Sequence, residues 1–445
     1  MDVVALGESM VTFLPSRPGR LADVPSFDRA IGGAESNVAC VLAAAGHTAR
    51  WVSRVGADGF GDHLTEAIGA YGVDTSAVQR DPTRPTGIYF RTASDRSTDA
   101  HEVAYYRTGS AASAMSRATV DMAAVQAGRI LHLSGITAAL SPDCRSLLTA
   151  LTAPAPDRPL ISFDVNYRAG LWPTPSKAGA ILLTLARGAD LVFVGEDEAE
   201  AAWGITGGPT AIRAALPEPR VLVVKDGSRG ATAFEAAPPA NPHPRTEARG
   251  RVGGCPPAAD GVSTGSPSQA TDSTPDRGRT PPGAHPPHPQ SEGERTTTRH
   301  PYTPRESEPT TARHPHTPRE SEPTTTRHPH TQRESDQTTA RHQTDTITFA
   351  PALNVDVVAP VGAGDAFAAG FLSATLRGLP PRARLRHGHL MAAAALTDPG
   401  DLGAPPSRDH ADRLAALDDD AWGTLRLGPG WTRTADRAQE EVPTP

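Results

Sequence analysis

No apolar run in this 445-residue chain approaches the roughly 18 residues that a membrane span needs. Met1 is followed directly by the strand-like VVALG, with neither a basic stretch nor a long apolar core. No secretory leader is therefore visible, no membrane partner is expected, and the cytoplasm is the expected compartment. Cysteine is scarce: Cys40, Cys144 and Cys255 stand apart without CxxC spacing. That excludes a disulfide framework and suits a reducing compartment. Basic excess is also missing, since the formal net charge is −7, so nucleic acid is not an expected partner. Aromatic residues make up 5% of the chain and hydrophobic residues 38%. What is plentiful is glycine (41) and proline (44), more than a folded body of this length ordinarily carries.

Much of that excess sits in one place. From about Ala236 to Asp345 the chain is rich in Pro, Thr, Ser, Arg, Glu and His and almost free of Leu, Ile, Val and Phe. RHPYTPRESEPTTA (299–312), RHPHTPRESEPTTT (313–326) and RHPHTQRESDQTTA (327–340) are near-copies with a 14-residue period. A stacked repeat protein needs an apolar face on each unit, and these units have none. They cannot offset the entropy of ordering, so 236–345 is expected to be a disordered, low-complexity insertion. The flanks GATAFEA (230–236) and TITFAPALNVDVV (346–358) read as two strands of one hairpin whose turn the insertion interrupts. A flexible tail is expected over 434–445.

The remainder, 1–235 and 346–433, is a size that one large α/β domain fills. DVVALG (2–7), ARWVSRVG (49–56), RILHLSG (129–135), PLISFDVN (159–166), DLVFVG (190–195) and RVLVVKDG (220–227) read as strands. Helical patterns such as SNVACVLAAAG (36–46) and GDHLTEAIGAYG (61–72) lie between them. The alternation predicts an α/β fold with a mainly parallel sheet covered on both faces, where ligands gather at the carboxyl ends of the strands. Residues 11–30 and 84–108 break it. GIYFRTA (87–93) and HEVAYYR (101–107) look like an antiparallel pair, a candidate lid over that edge.

The richest local signal is VGAGDAFAAGF, 361–371. It follows the strand-like NVDVV and a turn at Pro360 and precedes an Ala/Phe helix. The amides of Gly362, Ala363 and Gly364 then point out of a helix N-terminus, a ready anion site. It is neither a GxGxxG dinucleotide loop nor a P-loop, because the third glycine is misplaced and no GK[ST] follows. A carboxylate inside a phosphate cradle is unfavourable unless it works. Asp365 can accept the proton of a hydroxyl attacking a phosphoryl group, or it can merely stabilise the helix N-terminus. A second constellation is IGGAESNVACVLA (31–43), where Gly32 and Gly33 permit close backbone approach and Asn37 offers both a donor and an acceptor. VGADGFG (55–61) follows, with Asp58 in a turn.

GGAESN, VGADGFG and VGAGDAF, in this order and at these places, resemble the PfkB/ribokinase family of carbohydrate kinases. The resemblance covers everything outside the insertion. It implies a ribokinase-like three-layer α/β/α sandwich with a small β-sheet lid, often used for homodimer formation, and ATP with Mg2+ as donor. It makes Asp365 the catalytic base and Gly362, Ala363 and Gly364 the anion hole. FDVNYR (163–168), AYYRTGSAAS (104–113) and VFVGEDEAE (192–200) resemble the 2-keto-3-deoxygluconate kinases of that family. By that resemblance Gly33, Tyr89, Tyr105, Arg107 and Arg168 contact a sugar acid, and Asn37 joins them from the residue reading above. A carboxylate suits two guanidiniums, which bind it often bidentately, whereas surface ion pairing or phosphate neutralisation is the plain alternative for both arginines.

On the nucleotide side the resemblance makes Glu198 of GxxE the residue that positions Mg2+-bound waters, although Glu196, Asp197 and Glu200 beside it are what any acidic helix start carries. By the same resemblance KDGSRG (225–230) gives Lys225, Gly227 and Ser228 as nucleotide-binding candidates, and 387–400 sits where the family covers the adenine. Ala359-Pro360-Val361 stands where many relatives carry Asp-Thr-Thr, so a monovalent cation held by those side chains is not implied. The expected activity is ATP-dependent phosphorylation of 2-keto-3-deoxygluconate at O6. The alternatives are a kinase of a neutral sugar such as fructose or ribose, and a sugar-binding regulator without activity.

Overall fold

The computed structural model describes residues 1–92, 102–172, 174–236 and 345–433. The expected insertion from 237 to 344 and the expected tail from 434 lie outside them. Eight strands form the central sheet. Across it run Thr346–Pro351, Gly230–Glu235, Val221–Asp226, Leu191–Gly195, Leu160–Asp164, Ile130–Ser134, Val3–Leu6 and Ala49–Val52. The last six are mutually parallel, and Gly230–Glu235 is antiparallel to both neighbours. The two flanks of the insertion do pair, with Phe234 opposite Ile347.

The strands are short apolar runs because both faces are covered. Val3 to Leu6 are all buried, and the strand period of two divides them between two cores. Val4 and Leu6 pack with Val192, Val194, Leu222 and Phe163 on one side. Val3 and Ala5 pack with Phe193, Val223, Phe367 and Phe371 on the other. Helices Gly135–Leu140, Pro142–Thr152 and Pro175–Arg187 lie in chain order between parallel strands, while Ala34–Ala44, Ala363–Leu376 and Pro381–Leu396 pack together against the second face. Among the described residues no helix is long and apolar enough to cross a membrane.

Two expected strands come out differently. The run 49–56 breaks at Ser53: Ala49–Val52 stays in the central sheet, and Arg54–Gly56 leaves to pair with Gln79–Asp81. Of the expected strand NVDVV, only Asn354–Val355 pairs, with Arg426–Leu427. Satisfying a backbone by tertiary partners overrides local β-propensity in both places.

The segments outside the alternation build a four-stranded lid in the order Phe27–Gly32, Met10–Pro15, Ile88–Arg91, Val103–Tyr106. Ile88–Arg91 and Val103–Tyr106 are antiparallel, with Tyr89 opposite Tyr105. Asp58 ties the lid to the body. One of its carboxylate oxygens caps the helix Gly59–Ala70 through the amides of Phe60 and Gly61, and the other accepts from the amide of Thr86 at 2.9 Å.

Candidate active site

The carboxyl ends of the parallel strands deliver Gly7, Ser134, Asp164, Gly195 and Asp226 to one edge. Two helix N-termini meet there. Gly33 is the cap residue of Ala34–Ala44, and Gly362 that of Ala363–Leu376. Asn37, in the first turn of the former, donates from Nδ2 to Asp365 Oδ2 in the first turn of the latter, at 2.9 Å. These residues are 328 apart in sequence. Asp365 does not cap its own helix, since no side chain caps that end. The amides of Gly362, Ala363 and Gly364 donate to no described residue, so the first turn presents open N–H groups.

Gly362 has φ of +78°, and a Cβ there would overlap the main-chain oxygen of Asp401. Both facts demand glycine. Gly362→Ala is expected to lower kcat at least about tenfold and to lower Tm, because alanine at this φ is strained by about 1–2 kcal/mol before any clash is counted. Steady-state kinetics together with a thermal melt measure both.

Asp365 sits in a crowd of charge. Desolvation pushes its carboxyl up to about 7; nearby Asp164 pushes the same way, while the Asn37 hydrogen bond, Lys225 and Arg168 hold it down. Lys225 Nζ lies 3.1 Å from Asp164 Oδ2, and a Cβ on Gly364 would stand 3.6 Å from that nitrogen. Burial alone pulls the Lys225 ammonium down, but Asp164, Glu198 and Asp365 outweigh it, so it lies above its ordinary value and stays charged. Lys225 thus stands between the open amides and Asp164. Gly227 and Ser228 lie in the exposed turn after this strand, with Gly227 at φ +48°.

Arg168 and Glu198 come together, with Nη1 3.2 Å from Oε1. The arginine side chain is 55% exposed and the glutamate 12%. Glu198 Oε2 accepts from the Gly195 amide at 2.9 Å, which fixes the carboxylate at the start of its helix. Among the described residues no group of three or more His, Cys, Asp or Glu is arranged to hold a metal. Mg2+ keeps several waters and takes one or two carboxylates with substrate phosphates, and Glu198 and Asp164, both close enough to act on Lys225, offer such oxygens.

At the lid, Arg107 is already engaged. Its Nε donates to Glu8 Oε2 at 2.7 Å and its Nη2 pairs with the same oxygen. Ser110 Oγ donates to Glu8 Oε1 at 2.5 Å. The Glu8 side chain is wholly buried and that of Arg107 is 10% exposed. Tyr105 stacks against Tyr89 with centroids 5.4 Å apart and keeps half its surface open. The Tyr89 hydroxyl is committed: it donates to Asp401 Oδ2 at 2.5 Å, and Arg91 Nη2 donates to the other Asp401 oxygen at 2.6 Å. Burial and the Asp401 carboxylate hold the Tyr89 hydroxyl well above its usual range.

Sequence reasoning singled out neither Glu8, Asp164 nor Asp401. Asp164 was within reach, as the first residue of the DVNYR stretch from which only Arg168 was drawn. Asp401 lies just past the stretch 387–400, and its link to the lid has no local signal.

The pfkB family carbohydrate kinase pattern matches residues 1–253 and 335–408. The chain belongs to this family. It is a sugar kinase by descent, with the ribokinase-like α/β architecture described above. A 2-dehydro-3-deoxygluconokinase from Thermoproteus tenax is 33% identical over 53% of this chain and 72% of its own length. Fructokinase-1 of Oryza sativa subsp. japonica is 32% identical over 51% of this chain and 71% of its own. The crystal structure of a PfkB protein from Polaromonas sp. JS666 superposes with a TM-score of 0.58 at 25% identity, covering 92% of this chain and 99% of that one.

Proposed function

We propose that this PfkB kinase transfers the γ-phosphoryl group of Mg-ATP to the 6-hydroxyl of 2-keto-3-deoxygluconate, with Asp365 as the general base. The observation that carries the reading is Asp365 itself. It is a carboxylate held at about 7, bonded to Asn37, at the mouth of a helix whose first amides are open. At neutral pH a large fraction is ionised and ready to take a proton. The hydroxyl oxygen bonds to the γ-phosphorus, the bond from that phosphorus to the bridging oxygen breaks, ADP leaves, and the hydroxyl proton passes to Asp365. The Gly362, Ala363 and Gly364 amides and Lys225 meet the charge on the group in flight. Glu198 is the residue we assign to orient the waters of Mg2+, which when bound would screen the phosphate oxygens. Gly227 and Ser228 are assigned to the nucleotide.

Arg107, Arg168, Tyr105, Asn37 and Gly33 are assigned to the sugar, with Tyr89 acting through its bond to Asp401. The name of the Thermoproteus relative supports the sugar acid. The kinase of a neutral sugar keeps one specific observation in its favour. Both arginines already face a carboxylate, Glu8 or Glu198, so their charge is partly answered before any substrate arrives. An inactive regulator is disfavoured, because a binding module needs neither Asp365 nor Glu198.

A coupled ADP-release assay over 2-keto-3-deoxygluconate, fructose and ribose tests this. The expected kcat/KM for the sugar acid exceeds that for either neutral sugar by at least about a hundredfold, some 2.7 kcal/mol. A preference for fructose or ribose selects the neutral-sugar reading, and sugar binding without ADP release selects the regulator. We infer further that two copies pair through the lid. One lid face carries Phe13, Phe27 and Tyr106 in ring contact with Phe90; Phe13 also packs on Phe60 of the body, and Tyr106 is 63% exposed.

A further inference from the structure

One buried acid near the reaction centre has no part in the scheme above. Glu35 is the second residue of the helix Ala34–Ala44, two before Asn37. An acidic residue at a helix start is usually solvated, but Glu35 has no exposed surface at all. Thr137 Oγ1 donates to its Oε1 at 2.6 Å. Its Oε2 is buried without any hydrogen-bond partner. The carboxyl group lies against the main chain at Gly7, where a Cβ would overlap it.

No cation bonds it. Arg107 is the positive charge that reaches it, and that guanidinium is spent on Glu8, the residue after Gly7. Asp365, at the start of its own helix, faces Glu35 with like charge. Glu8, Glu35 and Asp365 therefore come together with Arg107 paired to Glu8, while Lys225 and Arg168 act on Asp365. An ionised carboxylate with one empty oxygen is the least favourable occupant of such a place, and a neutral acid is the form that fits it. The direction of titration agrees: burial, reinforced by Asp365 and opposed by Thr137, by the residue's own main-chain amide and by Arg107, pushes Glu35 up to about 8.

We propose that Glu35 is a positioning residue held as a neutral carboxylic acid beneath the reaction centre, and that its ionisation shuts the enzyme off at alkaline pH. The neutral group lets the first turn of Ala34–Ala44 stay in place, and with it Asn37, whose Nδ2 orients the Asp365 carboxylate. Ionised, Glu35 demands hydration or a cation partner, and the turn that carries Asn37 moves. This rests on the assignment of Asp365 as the base.

The sign of the pH effect on stability follows from the titration. The folded chain holds this proton up to about pH 8, whereas an unfolded glutamate loses it near 4.5. Between these values the folded state binds more protons, so stability falls as pH rises. Glu35→Gln mimics the neutral acid and has no proton to lose.

The test uses the full chain and two readouts. Compared with wild type, Glu35→Gln gains Tm progressively from pH 5 to pH 8, by on the order of 5 °C at the upper end. Its alkaline loss of kcat moves up by at least one pH unit, where wild type drops at least about tenfold between pH 7.5 and 9.5. Glu35→Asp, with a shorter reach to Thr137, keeps the pH-dependent fall in Tm and serves as the control. A Tm gap that does not change with pH, or an alkaline limb that stays where it was, overturns the proposal. The melt does not depend on catalysis, so a wrong base assignment leaves the Tm series readable and shows separately in Asp365 variants.

Discussion

Asp365→Asn lowers kcat by about a thousandfold while the Kd for sugar changes by no more than a few fold. The replacement keeps the size and planarity of the group, and an amide oxygen can still accept from Asn37 Nδ2 at the 2.9 Å position. What is lost is the ability to take a proton, which contributes roughly 100- to 10,000-fold in such reactions. Wild-type turnover is expected to rise with pH through about 7, as the carboxyl ionises.

Stability moves the other way. The folded carboxyl titrates at about 7 against 3.8 for the unfolded residue, so the folded state binds the extra proton and wild type loses stability as pH climbs through that window. Asp365→Asn is free of that loss and melts higher than wild type at pH 8, although it is nearly inactive. Sugar binding by titration calorimetry, turnover by ADP release and a pair of melts at pH 5 and pH 8 check the whole pattern. Near-normal turnover in Asp365→Asn would remove the base from the scheme.

The parts of this site that were legible in the sequence are those whose chemistry is local. Gly362 to Asp365 are consecutive, so a glycine-eased helix start with an acid three residues in could be read from the letters alone. The strands were legible because burial on both sheet faces forces unbroken apolar runs such as LVFV at 191–194. What escaped depends on which distant groups the folded chain brings together. For Arg107 the letters leave sugar-acid binding and ion pairing both open, and its partner Glu8 is 99 residues away. The bond from the Tyr89 hydroxyl to Asp401, 312 residues on, has no sign in the sequence around either residue. Glu35 stood in plain view inside GGAESN, and its letter is ordinary at a helix start; only its complete burial under Gly7 distinguishes it. The break at Ser53 has the same origin, because the competing partner Gln79–Asp81 is remote.

Arg107 carries the sharpest question about substrate, and the Glu8 pair changes how it must be tested. Arg107→Met alone is expected to raise KM for the sugar acid at least about thirtyfold, near 2 kcal/mol of lost binding. It also strands a wholly buried Glu8 carboxylate, and removing one partner of a buried pair typically costs about 3–5 kcal/mol of stability. A lower Tm and a higher KM would then arrive together and could not be told apart. Glu8→Gln combined with Arg107→Met replaces the pair by neutral groups of similar volume, and Ser110 can still bond the amide. That double variant is expected to recover most of the Tm while KM for the sugar acid stays high and KM for fructose is unchanged. Glu8→Gln alone leaves the guanidinium without its internal counter-charge, so its KM for the sugar acid should fall below that of wild type, by about threefold or more. If the double variant instead recovers sugar-acid KM along with Tm, Arg107 is a strut for Glu8 and touches no carboxylate of the substrate. The acid specificity would then have to rest on Arg168, which meets Glu198 in a more open setting and can exchange that partner for an incoming anion with less loss.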